Sequence, residues 1–260
     1  MGGDSQTSAG HGSNDSATSL SVDSSGNVYV TGQYMGSSDF GSQNLTTAGD
    51  LDAFVVKLNL SGAVQWASRW GGTVNSGTAN NRGTSVVVDG NGNVLVLGQN
   101  LGATGIDILK FNSAGVVAWS KYVDASTFES CDLAVDPAGN VVVGGVYRGQ
   151  VDFNPGRGIT RLSSGGVESG RAYVTKLNSK GGLIWARSPD RDNGRSIGVL
   201  GLAIGAGNSI YVGGYFNGTT DFDPGASSVS RTTAGRADGY LLNLTSAGNF
   251  DGGNVWWDSE

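Results

Sequence analysis

Apolar residues alternate with polar or small ones over short runs along the whole chain, and the runs recur. Four stretches align with one another: "SLSVDSSGNVYVTG" (19–32), "SVVVDGNGNVLVLG" (85–98), "DLAVDPAGNVVVGG" (132–145) and "GLAIGAGNSIYVGG" (201–214). Each is followed by a second block: "DAFVVKLNLSGAVQWASRW" (52–70), "IDILKFNSAGVVAWSKYV" (106–123), "AYVTKLNSKGGLIWARSP" (172–189) and "DGYLLNLTSAGNFDGGNVWWDS" (238–259). A period of two over runs rich in Val, Ile, Tyr and Trp predicts strands, and no segment of the 260 residues carries a convincing helical period.

Each repeat resolves into four strands. In the first they are predicted at Leu20–Asp23, Val28–Tyr34, Ala53–Asn59 and Ala63–Trp70. The first two strands are joined by Asp-x-x-Gly-Asn in three repeats, where Asp bonds back to the turn amides and Gly supplies a positive φ. Read alone, "DGNGN" (89–93) resembles a calcium loop, but such a loop needs about six oxygen ligands and a distant acid. "DSSGN" and "DPAGN" at the same place lack those side chains, so a hairpin turn is expected. The third and fourth strands are joined by similarly tight turns, "NLSG", "NSAG" and "NSKGG".

Four antiparallel strands repeated four times predict an all-β fold, a β-propeller of four four-stranded blades. A β-solenoid competes, but its rungs are shorter and are not closed by two hairpins each. The blocks "VDSSGNVYVTG" and "DAFVVKLNLSGAVQWASRWGG" resemble the bacterial SBBP β-propeller repeat family. The resemblance runs through nearly the entire chain, with the second repeat the shortest match. It implies extracellular or cell-surface display and carries no catalytic set that maps onto this sequence. The expected organisation is a single domain over 1–260, with blades at 1–70, 71–123, 124–189 and 190–260. Met1-Gly2-Gly3 matches Trp70-Gly71-Gly72 and the sequence stops at "VWWDSE", so both ends fall at one repeat phase. Two readings follow: a four-bladed ring, or a four-blade part of a larger or dimer-completed propeller in which open blade faces would drive self-association.

Composition narrows the function. Glycine accounts for 45 residues, proline for 4 and charged residues for 15%, which suits many short strands with glycine turns. A net charge of −6 argues against a nucleic-acid partner and against an anionic membrane surface. No apolar run approaches the roughly 18 residues of a membrane span, and the first residues show no signal-peptide pattern. The single cysteine, Cys131, reads as a small buried hydrophobe. Asn14, Asn44, Asn59, Asn217 and Asn243 head glycan-acceptor triplets, which chance explains equally well in a chain rich in Asn, Ser and Thr.

Candidate chemistry lies in the connections between second and third strands, near 35–51, 147–170 and 215–237, and between repeats, near 71–82, 122–130 and 189–197. Long variable loops on a rigid scaffold are where binding resides. Three of them open on a shared motif: "SSDF" (37–40), "VDFNPG" (151–156) and "TDFDPG" (220–225). Pro-Gly suits the centre of a type II turn, Phe40, Phe153 and Phe222 are placed to pin the loop, and the aspartates can accept loop amide bonds. Asp39, Asp152, Asn154 and Trp70 are candidate ligand or partner contacts. Asp221 and Asp223 are the candidates for a Ca²⁺ site, although two carboxylates are few for one. In the second repeat the connection shrinks to "NLGATG" (100–105) and drops the motif, which would leave a notch. Trp66, Trp119, Trp185 and Trp256 read as packing between blades, whereas Trp70 and Trp257 lie outside that register and are expected at the surface.

His11 is the only histidine and sits in a soft N-terminal stretch, so a catalytic triad or a His/Cys metal site is not supported. Glycine strings such as "GGTVNSG" lack the Lys-Ser/Thr of a phosphate cradle. The expectation is therefore a non-enzymatic scaffold or binding module for a protein or glycan, with no required cofactor. The alternative is a polysaccharide hydrolase or lyase using acidic loop residues, whose carboxylates would stand about 5–9 Å apart.

Overall fold

The structure is a computed structural model that describes residues 15–41, 43–48, 51–71, 81–100, 105–124, 128–165, 170–191 and 197–256, without the side chains of 128–131, 190–191 and 255–256. His11, Asn14, Trp257, the first residues, the 101–104 connection and the side chains of Cys131 and Trp256 lie outside that description.

The chain divides into two compact units, residues 1–122 and 123–260. In the first, β1 (Ser16–Val22), β2 (Val28–Tyr34), β5 (Asp52–Leu58) and β6 (Val64–Trp70) form one antiparallel meander. Between β2 and β5 lies a small hairpin of β3 (Ser37–Phe40) and β4 (Gln43–Thr46). A second meander follows from β7 (Asn81–Val88), β8 (Val94–Asn100), β9 (Gly105–Phe111) and β10 (Val117–Asp124).

The second unit repeats the plan. Its first meander is β11 (Phe128–Val135), β12 (Val141–Tyr147), β15 (Arg171–Leu177) and β16 (Leu183–Arg187), with the hairpin β13 (Gln150–Asp152) and β14 (Arg161–Ser163) inserted. After the two-residue β17 (Asp190–Arg191) come β18 (Ile197–Ile204), β19 (Ile210–Phe216), β22 (Asp238–Leu244) and β23 (Phe250–Trp256), which form the fourth sheet. Its inserted hairpin is β20 (Thr219–Asp221) and β21 (Ser230–Thr232). The protein is thus all-β, built of four-stranded antiparallel sheets in the manner of propeller blades.

The turns form as the sequence dictates. Asp23, Asp89 and Asp136 each accept two backbone amides through Oδ1, at positions two and four residues on, at 2.9–3.0 Å. Asn59, Asn112 and Asn178 do the same in the turns between third and fourth strands. A side chain that closes its own turn competes with continued strand and stops it. Asp89 also takes Nδ2 of Asn93 and Nζ of Lys110, so its carboxylate is engaged by protein donors in the hairpin turn expected there.

Within each unit the same device joins one sheet to the next. The indole of Trp66 donates to the Ser113 carbonyl at 3.1 Å, and that of Trp185 to the Ser246 carbonyl at 3.2 Å. Both acceptors lie in the tight turn between third and fourth strands of the following sheet. The glycine of that turn lies under the ring: a Cβ at Gly115 or Gly248 would fall 2.6 or 2.8 Å from the indole, and φ is +79° and +78°. Glycine is thus required there by backbone conformation and by the close ring. Around these latches lie two apolar cores. In the first unit Tyr29, Val55 and Trp70 pack on Val94, Val96 and Phe111; in the second, Val142, Val174 and Trp185 pack on Ile210, Val212 and Leu242.

The register corrects one expectation. Trp256 pairs with Gly239 as Trp70 pairs with Ala53, and Gly252 stands opposite Asn243 as Trp66 stands opposite Lys57. Trp256 therefore occupies the place of Trp70, and the fourth sheet carries glycine where the latch tryptophans Trp66 and Trp185 stand in the first and third.

A charge pair follows the same repeat logic. Lys110 meets Asp89 at 3.0 Å and Lys176 meets Asp136 at 2.9 Å, with all four side chains buried. In the fourth sheet the corresponding positions are Gly205 and Asn243, so both members are lost together. Deleting one alone would leave a charge buried without its partner.

Two outcomes follow for urea unfolding. Trp185→Ala should lower stability by about 3–5 kcal/mol, and Trp185→Phe, which keeps a ring but loses the indole donor, by clearly less. Asp136→Asn should cost about 3–5 kcal/mol by stranding the Lys176 ammonium, whereas the double change with Lys176→Met should recover part of that loss.

Candidate functional site

Three connections expected as open loops carry hairpins of their own. Ser37–Phe40 pairs with Gln43–Thr46, Gln150–Asp152 with Arg161–Ser163, and Thr219–Asp221 with Ser230–Thr232. Their runs are too short to read as strands by periodicity, and the packing of one phenylalanine fixes each. Phe40, Phe153 and Phe222 are buried, each against an aromatic at the end of the second strand and another in the third. The ring-centroid distances repeat: Tyr34–Phe40 6.1 Å and Phe40–Phe54 4.9 Å; Tyr147–Phe153 5.3 Å and Phe153–Tyr173 4.8 Å; Phe216–Phe222 and Phe222–Tyr240 both 5.1 Å. The first contact of each triad is edge-to-face, a favoured aromatic geometry.

In the third and fourth sheets the motif aspartates hold these loops. Asp152 Oδ1 accepts the amides of Asn154 (3.0 Å) and Thr160 (2.8 Å), and Asp221 Oδ1 accepts those of Asp223 (3.1 Å) and Val229 (2.7 Å). Asn154 and Asp223 then accept the amides of Gly156 (2.9 Å) and Gly225 (2.7 Å). Neither glycine has a positive φ, so the Pro-Gly pair forms a side-chain-closed Asx turn and not the type II turn expected. Burial raises the Asp221 carboxyl, but the bonds from Val229, Ser228 and Asp223 outweigh it and hold the group below its ordinary value. Asp221 and Asp223 are thus neighbours in one loop, each with an oxygen engaged by amides. Among the described residues, no three His, Cys, Asp or Glu side chains gather as a metal group.

The remaining candidates separate. Asp39 is exposed on β3 and edges an apolar cavity of about 180 Å³ beside Phe40 and Phe54. Trp70, expected at the surface, is instead only 7% exposed. Its ring lies over Gly98, where a Cβ would come within 1.6 Å of it, so the missing side chain in the adjoining sheet forms its socket.

The second sheet departs from the triad. Asp107 pairs with Gly98 as Phe54 pairs with Gly32, and so stands where the other sheets carry an aromatic. Burial pushes its carboxyl from 3.8 up to about 6. Between these values the unfolded chain releases a proton that the folded chain keeps, so this group's contribution is most favourable below the unfolded value and declines as pH rises through about 6. Asp107→Asn should therefore gain on the parent by roughly 1–3 kcal/mol between about pH 4 and pH 7, as read from urea unfolding at the two values.

A polar cleft of about 320 Å³ opens in the second unit beside the β13–β14 hairpin. Three arginines line it from three strands, Arg161 on β14, Arg171 on β15 and Arg187 on β16, with Ser163, Ser188 and Pro224 of the "DFDPG" loop. Arg187 rests over the Trp185 ring at 5.9 Å and donates to the Ala186 carbonyl at 3.1 Å. Sequence reasoning weighed acidic motifs and missed this cleft. A signal was present: residues 148–195 hold nine basic residues and four acidic ones in a chain of net charge −6.

One comparison with known proteins agrees with the repeat reading. A family model for SBBP, described as a beta-propeller repeat, matches residues 5–33. No curated protein matches the sequence significantly. Among solved structures, the chain is similar to an ACO/RPE65 chimera, with a TM-score of 0.39 and 8% identity, over 96% of this chain and 50% of that one. A Synechocystis apocarotenoid oxygenase variant gives a TM-score of 0.36 at 8% identity, over 98% of this chain and 67% of the other. The chain thus spans half the length of the chimera, and likeness at these scores carries no argument about activity.

Proposed function

We propose that the chain is a non-enzymatic β-propeller module of four blades that recognises a protein or glycan through the long connections between its second and third strands and between its repeats. The observation that carries this reading is the repeated aromatic triad. Phe40, Phe153 and Phe222 anchor three connections to their own sheets, and a rigidly supported loop platform is what recognition requires. Asp152 and Asp221 serve as loop fasteners, each through two amides, which favours binding over acid–base chemistry. Display outside the cell is what the repeat resemblance implies. Sedimentation giving a monomer supports four blades in one chain, and a stable dimer favours a ring completed by a second copy.

The direct test incubates the protein with immobilised polysaccharides and follows both retention and release of reducing ends. Retention without release is expected; release abolished by Asp152→Asn or Asp221→Asn would establish the hydrolase reading instead. Loop fastening also needs no cation. Asp221→Ala should cost about 1–3 kcal/mol, by the same amount with millimolar calcium as with chelator, whereas a calcium-dependent loss would place an ion between Asp221 and Asp223.

A further inference from the structure

We infer that the arginine cleft of the second unit binds a carboxylate-bearing sugar, a uronic-acid unit of an acidic glycan. This inference rests on the binding-module reading and names its ligand class. In a repeat protein, residues shared at one register position report the scaffold, and departures that converge in space report something particular to one repeat. Arg161 and Arg171 are such departures, and Arg187 stands beside them at a position where the second repeat also has a base, Lys121. Arg171 pairs with Tyr147 where the equivalent pairs are Asp52 with Tyr34 and Asp238 with Phe216. Those two aspartates cap loop amides, Ala48 at 2.8 Å and Ala234 at 3.2 Å, so the third sheet reverses the charge at this position. Arg187 stands opposite Val174 where Ser68 stands opposite Val55 and Asn254 opposite Leu241. Arg161 stands opposite Asp152 where Asn44 stands opposite Asp39 and Ser230 opposite Asp221.

Two replacements peculiar to this repeat and a third basic residue thus meet in one cleft of about 320 Å³, at the small end of ligand pockets. Among the described residues, neither Arg161 nor Arg187 lies within salt-bridge distance of a carboxylate. Guanidinium groups recognise planar carboxylates through paired hydrogen bonds. The choice of a sugar over an acidic peptide follows from the rest of the wall: Ser163 and Ser188 add hydroxyl oxygens, that of Ser188 already donating to the Ala172 carbonyl at 2.8 Å, and with Tyr147 and Ala186 buried only Leu162 and Pro224 leave apolar surface for peptide side chains.

The test is calorimetry with trigalacturonate, its methyl ester, a neutral trisaccharide and a glutamate oligomer, at low and raised salt. The parent should bind trigalacturonate, lose it as salt rises, and bind the ester at least tenfold more weakly. Arg161→Gln and Arg187→Gln should each weaken binding roughly tenfold, with the thermal midpoint in place for Arg161→Gln and lowered slightly for Arg187→Gln, which loses its contact over Trp185. Equal affinity for acid and ester, parent-like binding by both variants, or no binding of trigalacturonate at millimolar concentration would overturn the proposal. A preference for the glutamate oligomer would overturn it in favour of an acidic peptide. If neutral sugars or proteins are retained independently of the arginines, this inference fails and the binding-module reading stands; if nothing is retained, both fall.

Discussion

The rest of the structure depends on a flat tryptophan seated on a glycine turn. A four-stranded meander has two apolar faces and cannot bury either alone, so each sheet needs its neighbour at a fixed offset. Trp66 and Trp185 supply that offset by reaching from the fourth strand of one sheet to the backbone of the next, where Gly115 and Gly248 leave room and a carbonyl accepts the indole. The turn must keep its shape for this contact, and Asn112 and Thr245 close those turns from within. Local turn chemistry and long-range packing are therefore a single requirement, which agrees with local and global preferences reinforcing one another in foldable sequences.

On that scaffold the connections between second and third strands are free to vary, but the variation is disciplined. Where a phenylalanine completes an aromatic triad, the connection folds back as a hairpin, and in the third and fourth sheets Asp152 and Asp221 tie the loop amides. In the second sheet the phenylalanine is missing and Asp107 replaces the third aromatic, so loss of the motif and loss of the triad go together. The loss of Asp and Lys together in the fourth sheet is a parallel case. Partners in a buried contact are kept or lost as sets because a half-set costs more than none.

Much of the fold was legible because its signals are local. The second strand, Val28–Tyr34, is found at the expected residues, and the other strands of the first repeat shift by a few residues at most. The Asp and Asn turns are found as read. What the sequence did not disclose is what depends on three-dimensional juxtaposition. Trp70 looked out of register and hence exposed, yet its socket is Gly98 of another sheet. Pro-Gly suggested a type II turn, but the preceding Asn154 and Asp223 side chains capture the glycine amides first. The site was the least legible part: the conspicuous acidic motif is structural, whereas the arginines that meet in the cleft are ten and sixteen residues apart and belong to no motif.

The central claim is that residues shared among the sheets carry the fold and that the arginines gathered in the third sheet carry recognition. The most direct measurement replaces Arg161 by Asn and Arg187 by Ser, the residues found at those registers in the first sheet, and compares thermal midpoint with acidic-glycan affinity in the same protein. The account predicts a midpoint lowered only by the small loss of the Arg187 contact over Trp185, and affinity lost by about two orders of magnitude. A protein that unfolds early, or one that keeps its affinity, would contradict it.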